Sequence, residues 1–283
     1  MGFKVGIAQI APALGDVHEN MKRIERCIER ALDEKTDLVV FPELALTGYT
    51  LKDMVPSVSL RLDSPELKRL MDASERLSIA VGFVEESPDY RFFNSAAYLE
   101  KGKILHVHRK VYLPNYGMFE ENRDFAAGSR FRAFNAEFGR CGILICEDMW
   151  HPSAAYVIAQ DGCELLIALS CSPARGAQSD GDLYSADAWQ TLNRVYAHLY
   201  SQYVLYANRV GYEDGVGYWG GSEAIGPDGS VVARAKQFEE QFLTAELSSD
   251  AVRRARIASP LLRDERLDIT LRELKRIDRK REK

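Results

Sequence analysis

No stretch of this 283-residue chain is long and apolar enough to read as a membrane span. The first segment, Met1 to Gln9, lacks the charged and apolar regions of a secretory leader and reads as a strand. Cysteines are few and odd in number: Cys27, Cys141, Cys146, Cys163 and Cys171. A disulfide framework is therefore not implied. No pair has C-x₂-C spacing and no histidine cluster answers them, so no metal site is expected. An excess of basic charge is missing too. Thirty-seven Lys and Arg face 42 Asp and Glu, a net charge of −5, which excludes a global field for nucleic acid. Internal repeats and low-complexity segments are absent. The expectation is a cytoplasmic protein with reduced thiols and neither a nucleic-acid nor a membrane partner.

What is present suits a substantial core. Hydrophobic residues make up 46% of the chain, enough for one large domain or two small ones. Charge is uneven along it. From Ser248 to Lys283, twelve Lys and Arg stand against seven Asp and Glu, so an acidic body carries a basic tail. We expect a domain over residues 1–247 and a charged, partly helical tail over 248–283. In the tail Leu267, Leu271, Leu274 and Ile277 form one apolar stripe at helical spacing. It would lie on its own domain or pack on a second subunit.

Strands and helices alternate, which predicts an α/β fold. Val5 to Gln9 and Asp37 to Phe41 read as strands, with a helix over Asn20 to Leu32 between them. Pro65 to Leu77 reads as a helix capped by Ser64. Ile79 to Val84, Ser95 to Leu99, Ile104 to Val107 and Phe131 to Phe134 read as further strands. Leu165 to Leu169, Val204 to Val210 and Phe242 to Leu247 do so too, with a helix over Tyr184 to Tyr203. Ala224 to Ala235 reads as a hairpin through Gly226-Pro227-Asp228-Gly229. Gly215 to Gly220 has the spelling G-x-G-x-x-G, but no helix follows, so it reads as a flexible loop and not a dinucleotide site.

Three strand ends carry chemistry. The apolar run Cys141 to Ile145 stops at Cys146-Glu147-Asp148-Met149-Trp150-His151-Pro152, with Ser153 as the N-cap of a following helix. Such elbows expose nucleophiles, although a lone Cys at a strand end is more often a small hydrophobe. The second strand stops at Pro42, and Glu43 follows in apolar surroundings that would raise a carboxyl pKa and suit proton transfer. Lys110 ends another strand beside Val111 and Leu113, placed as a fixed, partly buried cation.

Three motifs resemble the nitrilase, or carbon–nitrogen hydrolase, family. They are Phe41-Pro42-Glu43-Leu44 with Thr47-Gly48-Tyr49; Arg109-Lys110-Val111-Tyr112-Leu113-Pro114 leading to Phe119, Glu121 and Phe125; and Ile143-Leu144-Ile145-Cys146-Glu147-Asp148-Met149-Trp150. The order Glu, Lys, Cys matches as well. The resemblance implies a four-layer α-β-β-α sandwich that hydrolyses an amide-type C–N bond without cofactor. Cys146 would be the nucleophile, Glu43 the general base, Lys110 the transition-state cation and Glu121 a supporting glutamate. Family members associate as homodimers or larger homo-oligomers.

Cys146-Glu147-Asp148 with Trp150, and Asn115-Tyr116-Gly117, are similar to the glutamine-hydrolysing domain of glutamine-dependent NAD synthetases. That similarity implies a substrate pocket with Tyr49, Tyr116, Glu147, Trp150 and Ser172. Arg175 falls early for the subfamily's arginine, and Gln178-Ser179-Asp180 stands where a basic region is expected. With no ATP-pyrophosphatase domain in the sequence, the expectation is a stand-alone amidase for a small carboxamide. Alternatives are a glutaminase component acting in trans, a nitrilase, an N-carbamoyl amidohydrolase, or a non-catalytic interaction protein.

Overall fold

The computed structural model describes residues 2–176 and 183–281. Its strands, in chain order, are β1 (Gly2–Gln9), β2 (Leu38–Val40), β3 (Ser78–Glu86), β4 (Phe92–Glu100), β5 (Lys103–Arg109), β6 (Ala133–Ala136) and β7 (Gly139–Ile145). They continue with β8 (Leu165–Ser170), β9 (Tyr203–Asn208), β10 (Val210–Glu213), β11 (Val216–Trp219), β12 (Glu223–Ile225), β13 (Val231–Arg234) and β14 (Gln241–Ser248). The helices are α1 (Val17–Asp33), α2 (Val55–Val58), α3 (Pro65–Ala73), α4 (Glu121–Asp124), α5 (Pro152–Gln160), α6 (Tyr184–Tyr200), α7 (Ser249–Ala258), α8 (Leu261–Asp264) and α9 (Leu267–Arg281).

Two six-stranded sheets share one plan. The first runs β14-β1-β2-β3-β4-β5, the second β13-β12-β9-β8-β7-β6. Three parallel strands form the middle of each, with antiparallel strands at the flanks. Strand periodicity explains the layering, because alternate side chains leave opposite faces. Leu38 and Val40 enter the core between the sheets, where Cys141, Ile143 and Ile145 meet them. Val39 and Phe41 face outward onto Met21, Ile24 and Ile28 of α1 and Leu67 and Leu70 of α3. Leu144, Leu166 and Val204 face the other way, onto Ala154, Ala155 and Ile158 of α5 and Trp189 and Tyr196 of α6. Each fully buried aliphatic side chain of this kind contributes about 1.5–3 kcal/mol relative to exposure. The result is the expected four-layer α-β-β-α sandwich. The last strand closes the first sheet, pairing with β1 over its whole length from Gly2↔Ser248 to Gln9↔Gln241.

Several local expectations change. The Gly215 to Gly220 stretch is not a loop: β10 and β11 pair as a hairpin across Asp214-Gly215, both at positive φ. That dipeptide is a tight-turn signal, and the preceding strand breaks at Arg209 instead of running on to Val210. Ser153 does not cap α5. Pro152 opens that helix after His151, since the missing N–H of proline costs nothing in a first turn. The first helix starts earlier than expected, at Val17, because the Asp16 carboxylate accepts from the Glu19 N–H at 2.9 Å. The tail is in two parts. Helix α7 buries Val252 against the central core, whereas α9 buries no residue, and Leu267, Leu271, Leu274 and Ile277 are all exposed.

Candidate active site

Glu43 follows β2, Lys110 follows β5 and Cys146 follows β7. The first two belong to one sheet and the third to the other. Glu43 is fully buried and both carboxylate oxygens accept hydrogen bonds. Oε1 accepts from Lys110 Nζ at 2.8 Å and from Asn94 Nδ2 at 2.8 Å, and Oε2 accepts from the Cys171 backbone N–H at 2.7 Å. The loop carrying it lies directly on β3. A Cβ at Gly82 would fall 2.5 Å from Leu44 N and 2.6 Å from Pro42 O, so only glycine admits this approach.

Lys110 is 1% exposed and donates to Glu121 Oε1 at 2.7 Å as well as to Glu43. Burial alone would lower its pKa, but Glu121 and Glu43 outweigh it, and the ammonium is held well above its ordinary value. Glu121 is the converse. Burial pushes its pKa up to about 7; Lys110 opposes this and Glu43 adds to it. Tyr49 donates to Glu121 Oε1 at 2.6 Å, while Oε2 is buried with no hydrogen-bond partner among the described residues. The loop bearing Tyr49 is fixed by Glu213, which accepts from the Tyr49 and Thr50 N–H groups at 2.9 and 2.6 Å and is paired with buried Arg209.

Cys146 sits at a sharp elbow with φ of +43°, a strained conformation for a non-glycine residue. The residue keeps some accessible surface, and Ser170 Oγ lies 3.5 Å from its thiol. Burial and the Glu43 carboxylate push the thiol pKa well above its ordinary value, against a weaker opposing pull from Lys110. The resting Cys146 side chain is therefore a thiol and not a thiolate.

One residue ties the two halves together. Asp148, fully buried, accepts from the backbone N–H groups of Val111 at 3.0 Å, Tyr112 at 2.9 Å and Ile145 at 3.2 Å. Its Oδ2 also pairs with His108 Nε2 at 2.8 Å. The Cys146 elbow and the segment after Lys110 are thus fastened by a single carboxylate. Asp148 stood in a quoted motif without a role of its own, and His108 and Asn94 were not singled out in the sequence. The signal for the first two was their spacing, two residues beyond Cys146 and two before Lys110. For Asn94, inside a plain strand, there was none.

The remaining predicted residues divide. Tyr116, exposed, donates to Glu147 Oε2 at 2.8 Å, and His151 Nε2 lies 3.8 Å from Glu147 Oε1. Arg175 stacks over the Phe119 ring at 4.8 Å, and Phe119 meets both Tyr49 and Tyr116 edge-on. This joins Arg175, discounted on spacing, to the Tyr49–Tyr116–Glu147 group. Ser172 is buried and accepts from Trp219 Nε1 at 3.2 Å. Trp150 packs edge-on against Trp189, and no described contact joins it to the others. Gln178, Ser179 and Asp180 lie outside the described residues. Among the described residues no His, Cys, Asp and Glu group is arranged to hold a metal ion, and no helix is long and apolar enough to cross a membrane.

Residues 4–257 match the carbon–nitrogen hydrolase family model. The chain belongs to the carbon–nitrogen hydrolase family. It is 33% identical over 265 residues to the glutamine-dependent NAD(+) synthetase of Thermotoga maritima, covering 91% of this chain and 44% of that protein. A probable nitrilase of Schizosaccharomyces pombe is 28% identical over 258 residues, covering 88% of this chain and 90% of its own length. The crystal structure of a carbon–nitrogen hydrolase from Helicobacter pylori superposes with a TM-score of 0.85 at 25% identity, covering 97% of this chain and 99% of that one. This carbon–nitrogen hydrolase spans about half the length of the NAD(+) synthetase relatives it matches.

Proposed function

We propose that this carbon–nitrogen hydrolase is a cysteine-dependent amidase, acting through a thioester on a small carboxamide. The observation that carries the reading is the buried Lys110 ammonium bridging Glu43 and Glu121 at 2.8 and 2.7 Å, electrostatically coupled to the Cys146 thiol.

Cys146 Sγ attacks the carbonyl carbon while Glu43 takes the thiol proton. Charge develops on the carbonyl oxygen. An ammonium has three donors, and Lys110 commits two to Glu43 and Glu121, so the third serves the oxyanion. The Glu147 backbone N–H is the second donor. Each such donor is worth on the order of 10²–10³ in rate. Collapse breaks the C–N bond, and Glu43 returns the proton to the departing ammonia or amine. Glu43 then deprotonates water, which attacks the thioester; the carboxylic acid leaves and Cys146 regains its proton. Glu121, through its unpartnered Oε2, orients the amide nitrogen.

A second reading is favoured by Glu147 and Arg175, a carboxylate and a guanidinium both linked through Tyr116 and Phe119. Together they suit the ammonium and carboxylate of an amino-acid amide. Glutamine is then the substrate, with ammonia passing to a synthetase, as the names of the NAD(+) synthetase relatives suggest. Tyr49, Ser172 and Trp150 complete the proposed pocket.

Ammonia release from a panel of carboxamides, N-carbamoyl compounds and glutamine tests both readings, with Cys146→Ala as control and intact mass to trap the acyl adduct. Release lost in the variant, with an adduct on Cys146, supports the amidase. Response to glutamine alone selects the second reading. No turnover and no adduct refutes the stand-alone amidase; the second reading falls if glutamine is also untouched in the presence of a synthetase. Light scattering of the same samples reports the assembly, expected to be a homodimer or larger.

A further inference from the structure

Beside β5 lies a strongly charged cleft of about 550 Å³ that the amidase chemistry does not use. Arg91, Arg109, Arg130 and Arg132 line it, with Glu85 and His106. Glu85 is committed within the cleft to one of these arginines. It pairs with Arg109 through two hydrogen bonds and accepts from Ser95 Oγ at 2.7 Å. His106 is held neutral, its pKa lowered to about 4 by burial and by neighbouring His108 and Arg132. The field in the cleft therefore comes from guanidinium groups, which do not titrate.

The arginines are positioned, not merely near one another. Arg109 lies over the Phe93 ring at 4.0 Å and Arg91 over the same ring at 5.3 Å. Asp89 holds Arg91 through Nε at 2.8 Å, and among the described residues its terminal nitrogens have no hydrogen-bond partner. The segment bearing the other two is fixed at both ends. The Gly128 N–H donates to Lys110 O at 2.7 Å, and the Ala133 N–H to Asp161 Oδ2 at 2.8 Å. A Cβ at Gly128 would fall 2.1 Å from Arg109 O, so glycine is required for this contact. Between the two arginines Phe131 stacks on His108 and Tyr112. Arg130 and Arg132 are exposed and form no hydrogen bond or ion pair among the described residues.

Like charges gathered in a concavity repel one another and focus the field outward. In a chain with more acids than bases, two of the four guanidinium groups here are left without a carboxylate. Planar guanidinium forks match phosphate oxygens two at a time. We propose that this cleft binds a small molecule bearing phosphate groups, of diphosphate size or larger. The Ser129 hydroxyl, also in the lining, is a further donor. The assignment does not depend on the amidase reading.

Calorimetric titration of the full chain with inorganic diphosphate in about 0.15 M salt tests it, with ADP and a hexaglutamate peptide as further probes. The expected result is saturable binding with Kd below about 1 mM, weakening as salt rises. The double variant Arg130→Ala/Arg132→Ala is expected to bind at least tenfold more weakly. Both side chains are exposed, so its thermal melting should match the parent. Arg130→Lys/Arg132→Lys, which keeps the charge and loses the fork, should fall between the two. Cys146→Ala should bind as the parent does, which separates this cleft from the candidate active site. The proposal is overturned by absence of saturable binding, by full affinity in the double Ala variant, by loss of binding in Cys146→Ala, or by binding of the peptide alone.

Discussion

Glu121→Gln should change the pH dependence of stability in a calculable way. Glu121 is 5% exposed, and its carboxyl is raised from 4.5 to about 7, chiefly by burial. Unfolded, the group ionises near 4.5. Between the two values the native state therefore holds a proton that the unfolded chain has lost. Stability from this group is fully present below about 4.5, falls as pH rises through the window, and is level again above about 7. A shift of roughly 2.5 units at 1.36 kcal/mol each corresponds to about 3 kcal/mol. Glutamine does not ionise, so the variant lacks this fall. Urea denaturation of both proteins at several pH values from 5 to 8 provides the assay. The variant should gain about 2–3 kcal/mol on the parent across that range, part of the fall lying below pH 5, whatever constant offset arises from its altered hydrogen bonds to Lys110 and Tyr49. A pH-independent difference would mean that Glu121 ionises normally. A difference of opposite sign would mean that Lys110 outweighs burial. Either result refutes the account of this carboxyl.

Cys146→Ala should reduce turnover by at least roughly 10⁴-fold with the fold intact, as judged by ammonia release and melting temperature. Asp148→Ala leaves three backbone N–H groups and His108 without their acceptor, and chemical denaturation should show a loss of about 3–5 kcal/mol. Gly82→Ala forces the Glu43 loop off β3; steady-state kinetics should show kcat down roughly 10²-fold with a smaller change in KM. Glu147→Gln should raise KM for amides bearing an amino group by about 10- to 100-fold and leave plain carboxamides nearly unaffected.

The fold was legible where burial acts on both faces of a strand. Runs such as Leu38 to Phe41 and Cys141 to Ile145 have no polar positions to disguise them, and each ends at a residue that stops the sheet. Glu43 and Cys146 stood out for that reason, and Lys110 by its place at a strand end beside Val111 and Leu113. What escaped the sequence depends on pairing across long separations. Asn94 lies in an ordinary strand, and only the register of β3, β4 and β5 turns it toward Glu43. Arg175 was discounted by spacing, yet spacing does not report the fold of the loop that swings it over Phe119. The Asp214-Gly215 turn was legible in principle and was obscured by the glycine pattern around it. The stripe on α9 was read correctly as one helical face, but periodicity does not say whether anything covers it, and within the described chain nothing does.

The pairing of β14 with β1 has a consequence for synthesis. Gln241 must reach Gln9 and Ser248 must reach Gly2, so β1 waits for a partner 232 to 246 residues further along the chain. At about 5–20 residues per second, the ribosome takes roughly 12–50 s to produce that partner. Throughout that time one edge of β1 is open, with Val5 and Ile7 of the future central core close to it. A nascent chain stalled before Gln241 already contains Glu43, Lys110 and Cys146, yet it lacks the strand that closes their first sheet. Such a chain presents an unpaired strand edge, which is a template for pairing with another chain.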